Sequence, residues 1–219
     1  MKRTITIQGI GKLSLKPDYT VISMSLRAAN EEYDTAMETA SRHLDTLQNA
    51  LKRLGFAKED LKSSRFDVST EYNNERDKNG NYKRVFVGYV VTLQLKLEFD
   101  FNMERLAEVL VAIAGCIAQP ELNVQFTVKD KEAVNAALLE SACDNARAKA
   151  KILTGASGVK LGELLSIDYS WGDRALCSPT RYEMDEACML KASAAPSGME
   201  ITPEDIKVSD QVTFVWAIV

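Results

Sequence analysis

Apolar residues stand at every second position from Val91 to Phe99, as Val91, Leu93, Leu95, Leu97 and Phe99, with Thr92, Gln94, Lys96 and Glu98 between them. Successive strand side chains point to opposite faces, so this stretch reads as a strand with one buried and one solvated face. Such strands belong to antiparallel sheets; strands covered on both faces read as unbroken apolar runs. The fold must therefore cover one face of a sheet and leave the other polar. The strand is also long. From Arg84 to Phe99 it would extend roughly 50 Å if straight, which predicts a bulge near Gly88 or a protruding hairpin. Phe66, Val68, Thr70 and Tyr72 form its partner over residues 63–73, and Asn79-Gly80 supplies a hairpin turn.

The cover comes from three helical stripes. Ala36, Ala40, Leu44, Leu47, Leu51 and Leu54 recur at steps of three and four, starting near the capping residue Asn30 and ending at Gly55. A second helix over residues 102–118 presents Met103, Leu106, Ala107, Leu110, Ile113, Ala114 and Ile117, and Pro120 closes it. A third, capped by Asp130 and running to residue 155 or 157, presents Val134, Ala137, Leu138, Ser141, Asn145, Ala148 and Ile152. Its many alanines favour helix and permit close packing on a sheet.

Further strands are predicted at residues 4–13 and 19–29, around Leu122, Val124, Phe126 and Val128, at 161–171 and at 205–219. Residues 172–200 read as a long irregular segment containing Pro179 and Pro196. The expected order is β-β-α-β-β-α-β-α-β-β. That is an α+β fold, a mainly antiparallel or mixed sheet carrying three amphipathic helices. One domain over residues 1–219 is expected, with lobes dividing near residue 100. The last strand, Val212 to Val219, is apolar on both faces, which calls for a central position or a subunit contact.

Composition removes several classes. Scaling from 24.3 kDa gives about 35,000 Å² exposed when unfolded and about 10,000 Å² when folded. The core therefore needs no disulfide or metal. With 46% hydrophobic and 26% charged residues, the whole chain is not disordered. A net charge of −4 and the lack of a dense basic run argue against nucleic acid. No apolar run reaches transmembrane length. Met1-Lys2-Arg3 is followed by no apolar leader core, so the chain as written reads as cytoplasmic. A periplasmic or exported protein whose leader had been removed would look the same.

Candidate chemistry is thin. One histidine, His43, falls on the polar side of the first helix, and one histidine rules out a His-rich metal site. Cys116, Cys143, Cys177 and Cys188 show no two-residue spacing for a metal or redox pair. Gly9-Ile10-Gly11 lacks the further glycines and following helix of a phosphate loop, and reads as glycines at a strand end or bulge. Glu183, Asp185 and Glu186 cluster without desolvating neighbours, so they read as a solvated face rather than a hydrolytic pair. Tyr169 and Trp171 read as core residues or as a candidate ligand wall. Val212, Phe214, Trp216 and Ile218 are the candidate interface. No catalytic, cofactor-binding or metal residues are assigned, and no cofactor is expected.

One ordered set of motifs spans nearly the whole chain. Gly9-x-Gly11 leads to Lys16-Pro17-Asp18, then Gly55, Asp60-Leu61 and Gly88-Tyr89. Ala142-Cys143-Asp144-Asn145-Ala146-Arg147-Ala148-Lys149-Ala150 and Gly158-Val159-Lys160-Leu161-Gly162 follow. In this the chain resembles the SIMPL-domain family, whose bacterial members include periplasmic immunogenic proteins. The resemblance implies an α+β fold, ring- or channel-like homo-oligomers, a loose link to the cell envelope and stress tolerance, and no established reaction. The sequence reading is thus a non-enzymatic, oligomer-forming protein. The alternative is a small-ligand or peptide-binding module using Tyr169, Trp171 and residues 172–200.

Overall fold

A computed structural model describes residues 3–76, 82–170, 172, 175–184 and 202–219. The elements run β1 (Thr4–Leu15), β2 (Tyr19–Asn30), α1 (Tyr33–Arg53), β3 (Leu61–Arg76), β4 (Tyr82–Asp100), α2 (Met103–Ala114), β5 (Glu121–Thr127), α3 (Lys131–Ala156), β6 (Leu161–Asp168), β7 (Cys177–Met184) and β8 (Ile206–Ile218). The fold is α+β as the periodicities require. Among the described residues the strands are one more than the sequence order gave, because β7 lies inside the segment read as irregular. Cys177-Ser178-Pro179-Thr180-Arg181 has no alternation and contains a proline, so its spacing does not read as a strand. Among the described strands β7 is the outer one of its sheet, the place where a missing N–H is tolerated.

The chain divides into two compact units, and the division does not fall near residue 100. One unit joins residues 1–18, 127–179 and 203–219; the other joins 19–126 and 180–202.

The second unit holds a five-stranded sheet in the order β3-β4-β2-β5-β7. Ile22, Met24, Leu26 and Ala28 of β2 lie opposite Leu97, Leu95, Leu93 and Val91 of β4, all buried on one face. Ala36, Ala40, Leu47 and Leu51 of α1 and Leu106, Val109 and Ile113 of α2 join the same core. The opposite face stays polar: Gln94 Nε2 donates to Ser25 Oγ at 3.0 Å, and Lys96 pairs with Glu98. Helix α1 closes through a paired turn. Gly55 N–H donates to the Lys52 carbonyl and Phe56 N–H to the Leu51 carbonyl, with Gly55 at φ +86°. Phe56 is thereby delivered into the core beside Leu51. Helix α2 ends at Ala114, earlier than expected, so Ile117 is 82% exposed rather than part of its apolar stripe.

The first unit holds β1, β8 and β6 in that order, with β8 central. Its core joins Ile7, Val212, Phe214 and Trp216 to Ala142, Ala146 and Ala150 of α3. The buried face of α3 is Leu138, Ala142, Ala146, Ala150 and Thr154, displaced by about one position from the expected stripe; Ile152 is exposed. Alanine-rich helices carry little contrast between faces, so periodicity alone placed the stripe poorly.

Candidate functional site

The Gly9-x-Gly11 motif is a helix-packing device. A Cβ on Gly9 would lie 2.1 Å from the Ala142 carbonyl oxygen, and one on Gly11 2.1 Å from that of Leu138. The absent side chains let α3 rest directly on the backbone of β1. This helix also satisfies the outer edge of β1. Asn145 Oδ1 accepts from the Ile10 N–H at 3.0 Å, Ser141 Oγ accepts from the Lys12 N–H at 3.4 Å, and Lys149 Nζ donates to the Gln8 carbonyl at 3.0 Å. Helix positions four apart advance about 6 Å, and strand positions two apart about 6.6 Å. One helix face can therefore follow every second residue of a strand, as a neighbouring strand would. An otherwise open edge is closed this way. Ser141 and Asn145, expected as core-facing positions, perform this polar task beside the buried alanines.

Among the described residues, the other margin of that sheet has no such cover. β6 is the outer strand on the far side of β8, and Leu164, Leu165 and Ile167 are exposed, Ile167 to 56%. Its pairing with β8 is irregular between Leu161 and Leu164 and between Leu164 and Ser166. Three large aliphatic side chains within four residues of this strand form an apolar patch at a margin where no further described strand pairs.

The long β4 strand shows both features expected of it. Register slips between Glu71/Gly88 and Tyr72/Phe86, leaving Val87 as the extra residue. The bulge returns Phe86 to the face of Tyr89; without it, Phe86 would point to the opposite face with Glu71, which is paired to Arg27 at 2.8 Å. A Cβ on Gly88 would come within 2.4 Å of the Asn30 carbonyl oxygen, so this close approach also needs glycine. Beyond it, a two-stranded ribbon of β3 and β4 continues past the end of β2, from Tyr72/Phe86 to Arg76/Tyr82. Tyr33, Tyr89, Phe86 and Tyr72 form a chain of edge-to-face contacts with centroids 5.4–5.7 Å apart, and the Arg84 guanidinium lies 4.6 Å from the Tyr72 ring centroid.

The residues singled out from sequence are dispersed. Val212, Phe214 and Trp216 are buried under α3, and Phe214 stacks on Trp216 at 5.3 Å. Ile218 is half-buried, and its N–H donates to the Arg3 carbonyl. Three of these four side chains are thus occupied within the chain. Tyr169 OH donates to the buried Asp210 Oδ2 at 3.0 Å, while Trp171 lies outside the described residues. Glu183 Oε1 accepts from Asn123 Nδ2, and Asp185, Glu186 and Cys188 lie outside the described residues. His43 is half-buried; burial first, and the Arg42 charge second, push its pKa below 6.5. Burial pushes the Cys116 thiol up, with Arg53 opposing more weakly, and Cys116 Sγ donates to the Ala112 carbonyl. Cys116, Cys143 and Cys177 are free thiols. Among the described residues, no group of three or more His, Cys, Asp or Glu side chains is placed to hold a metal. A cleft of about 570 Å³ lies between the ends of α1 and α2, lined by Thr46, Asn49, Arg53, Val111, Cys116 and Ile117. No helix among the described residues is long and apolar enough to cross a membrane.

These features define an α+β protein in which a Gly-x-Gly strand serves as the seat of a helix. The chain belongs to the SIMPL family, described as protein of unknown function (DUF541), whose family model matches residues 5–216. It is similar to the 26 kDa periplasmic immunogenic protein of Brucella abortus, at 27% identity over 166 residues. That match covers 74% of this chain and 65% of the relative. The protein of the same name from Brucella melitensis is 26% identical over the same length and coverage. The match thus spans a little less than two thirds of these relatives. Their names are periplasmic, and the cytoplasmic expectation gains no support from them.

Proposed function

We propose that this chain is a non-enzymatic assembly protein of the cell envelope that forms a homo-oligomer by pairing strand edges. The open edge of β6, with Leu164, Leu165 and Ile167 exposed, is the observation that carries the reading. An edge strand of this kind is a template for another strand, and a second copy pairing there would cover aliphatic surface and unpaired backbone together. The two margins differ in a way that supports the reading: α3 blocks the β1 margin of the sheet, and among the described residues no strand pairs with the β6 margin. Val212, Phe214 and Trp216 hold the edge in place from within, by tying β8 to α3. The periplasm is the compartment that the similar proteins favour.

The test is native mass spectrometry of the chain and of a Leu165→Lys/Ile167→Lys variant at equal concentration. Both substituted side chains are exposed, so far-ultraviolet circular dichroism should match the parent. A discrete oligomer that becomes monomeric in the variant is the expected result. A monomeric parent, or an oligomer indifferent to both lysines, refutes the proposal.

A further inference from the structure

The aromatic face of the β3–β4 ribbon calls for a partner of its own. It continues the core face of the five-stranded sheet: Phe66, Val68, Thr70 and Tyr72 on β3 lie opposite Leu93, Val91, Tyr89 and Phe86 on β4. Helix α1, which covers that face, begins at Tyr33, and the rings of Tyr72, Phe86 and Tyr82 lie farther along the ribbon. Tyr72 and Phe86 are about two-fifths exposed and Tyr82 is 73% exposed. An isolated two-stranded ribbon gains little by showing aromatic rings to water. The bulge at Val87 matters here, since it puts Phe86 on the same face as the tyrosines.

The charge is as specific as the rings. From Tyr72 to Phe86 the sequence carries four cations (Arg76, Lys78, Lys83, Arg84) against two carboxylates (Glu75, Asp77), a net +2 within a chain of net −4. Arg84 is exposed beside the rings, while Lys83, also exposed, lies on the opposite face of the ribbon across from Glu75. Tyrosines and phenylalanine flanked by basic side chains suit the boundary between water and acyl chain. There the rings bury apolar area, the hydroxyls stay wet, and the cations meet anionic headgroups. Stacking of nucleic-acid bases fits less well. Arg84 covers the Tyr72 ring, and the rings meet edge to face, so faces that bases would need are already engaged.

We infer that the β3–β4 ribbon docks on an anionic lipid bilayer, with Tyr72, Tyr82 and Phe86 entering the headgroup region and Arg84 contacting lipid phosphate. This surface belongs to a different sheet from β6 and does not depend on the assembly proposed above.

Co-sedimentation of the full chain with large vesicles, at low salt, tests it. One set contains phosphatidylglycerol and phosphatidylcholine at 3:7, on the order of the anionic content that attracts basic segments, and the other phosphatidylcholine alone. Binding to the anionic vesicles alone is expected. Removing the ring-face cation in Arg84→Gln should weaken it by about fivefold. Tyr82→Ser, at a highly exposed position that should leave the fold intact, should weaken it several-fold. No association with anionic vesicles, or association unchanged in either variant, overturns the inference. So does a change of oligomeric state in these variants without vesicle binding, which would assign the ribbon to a second copy. Binding of a single-stranded oligonucleotide in place of vesicles would overturn it as well.

Discussion

Replacing Gly9 with alanine should be among the most damaging single-methyl changes the chain can undergo. The added Cβ would sit 2.1 Å from the Ala142 carbonyl oxygen and 2.8 Å from the Ala146 Cβ. Ordinary contact lies near ~3.5 Å, so the backbone of α3 must retreat by more than about 1 Å. Overfilling a packed interface costs about 1–3 kcal/mol. The retreat also strains the bonds from Asn145, Ser141 and Lys149 to the β1 edge. Each such bond contributes about 0.5–1.5 kcal/mol, so the total should reach about 3–5 kcal/mol. At about 2–4 °C per kcal/mol for a chain of this size, the midpoint should fall by roughly 10 °C. The assay is thermal unfolding followed by circular dichroism, with two comparisons. Gly55→Ala meets no atom within 4 Å and bears only the left-handed conformation at φ +86°, so it should cost about 1–2 kcal/mol. Ala146→Gly placed in the Gly9→Ala background should not rescue it, because the closest clash is with backbone. A Gly9→Ala protein melting within a degree of the parent would refute the reasoning. Full rescue by Ala146→Gly would move the clash from backbone to side chain.

Two further outcomes follow from burial. His43 is the chain's only histidine, so its imidazole signal in a proton NMR titration should show a midpoint below 6.5. The unfolded chain then takes up this proton first, and stability falls as pH drops from 6.5 to the lower folded value, with no contribution above 6.5; a midpoint at or above 6.5 contradicts this. Cys116, buried, bonded to the Ala112 carbonyl and raised in pKa, should be alkylated far more slowly than Cys143 and Cys177 in the native chain, as read by peptide mass spectrometry; equal rates would show that the thiol is open to solvent.

Periodicity carried much of the fold into plain view. The alternation at Val91–Phe99 required a one-faced sheet, and β4 pairs as that demands. The α1 stripe and its Gly55 terminus are local properties, set by side-chain spacing and one residue's φ, and they stand as read. The excess length of β4 announced its bulge and ribbon, because a strand cannot outrun its neighbours without bending or protruding. Where contrast along the sequence faded, so did the reading. Alanine on several sides of α3 hid which face was buried, and Pro179 disguised β7.

The interaction surfaces belong to the tertiary structure. Nothing in Gly9-Ile10-Gly11 says that its empty space is filled by Ala142 and Leu138, more than 120 positions away. Nothing in Leu164-Leu165-Ser166-Ile167 says that it lies at an edge, whereas Val212–Trp216, whose apolar faces call for a central position or a subunit contact, lies at the centre. Strand order and helix placement decide which apolar residues meet each other and which meet water. That choice rests on contacts between distant segments, which local spacing does not encode.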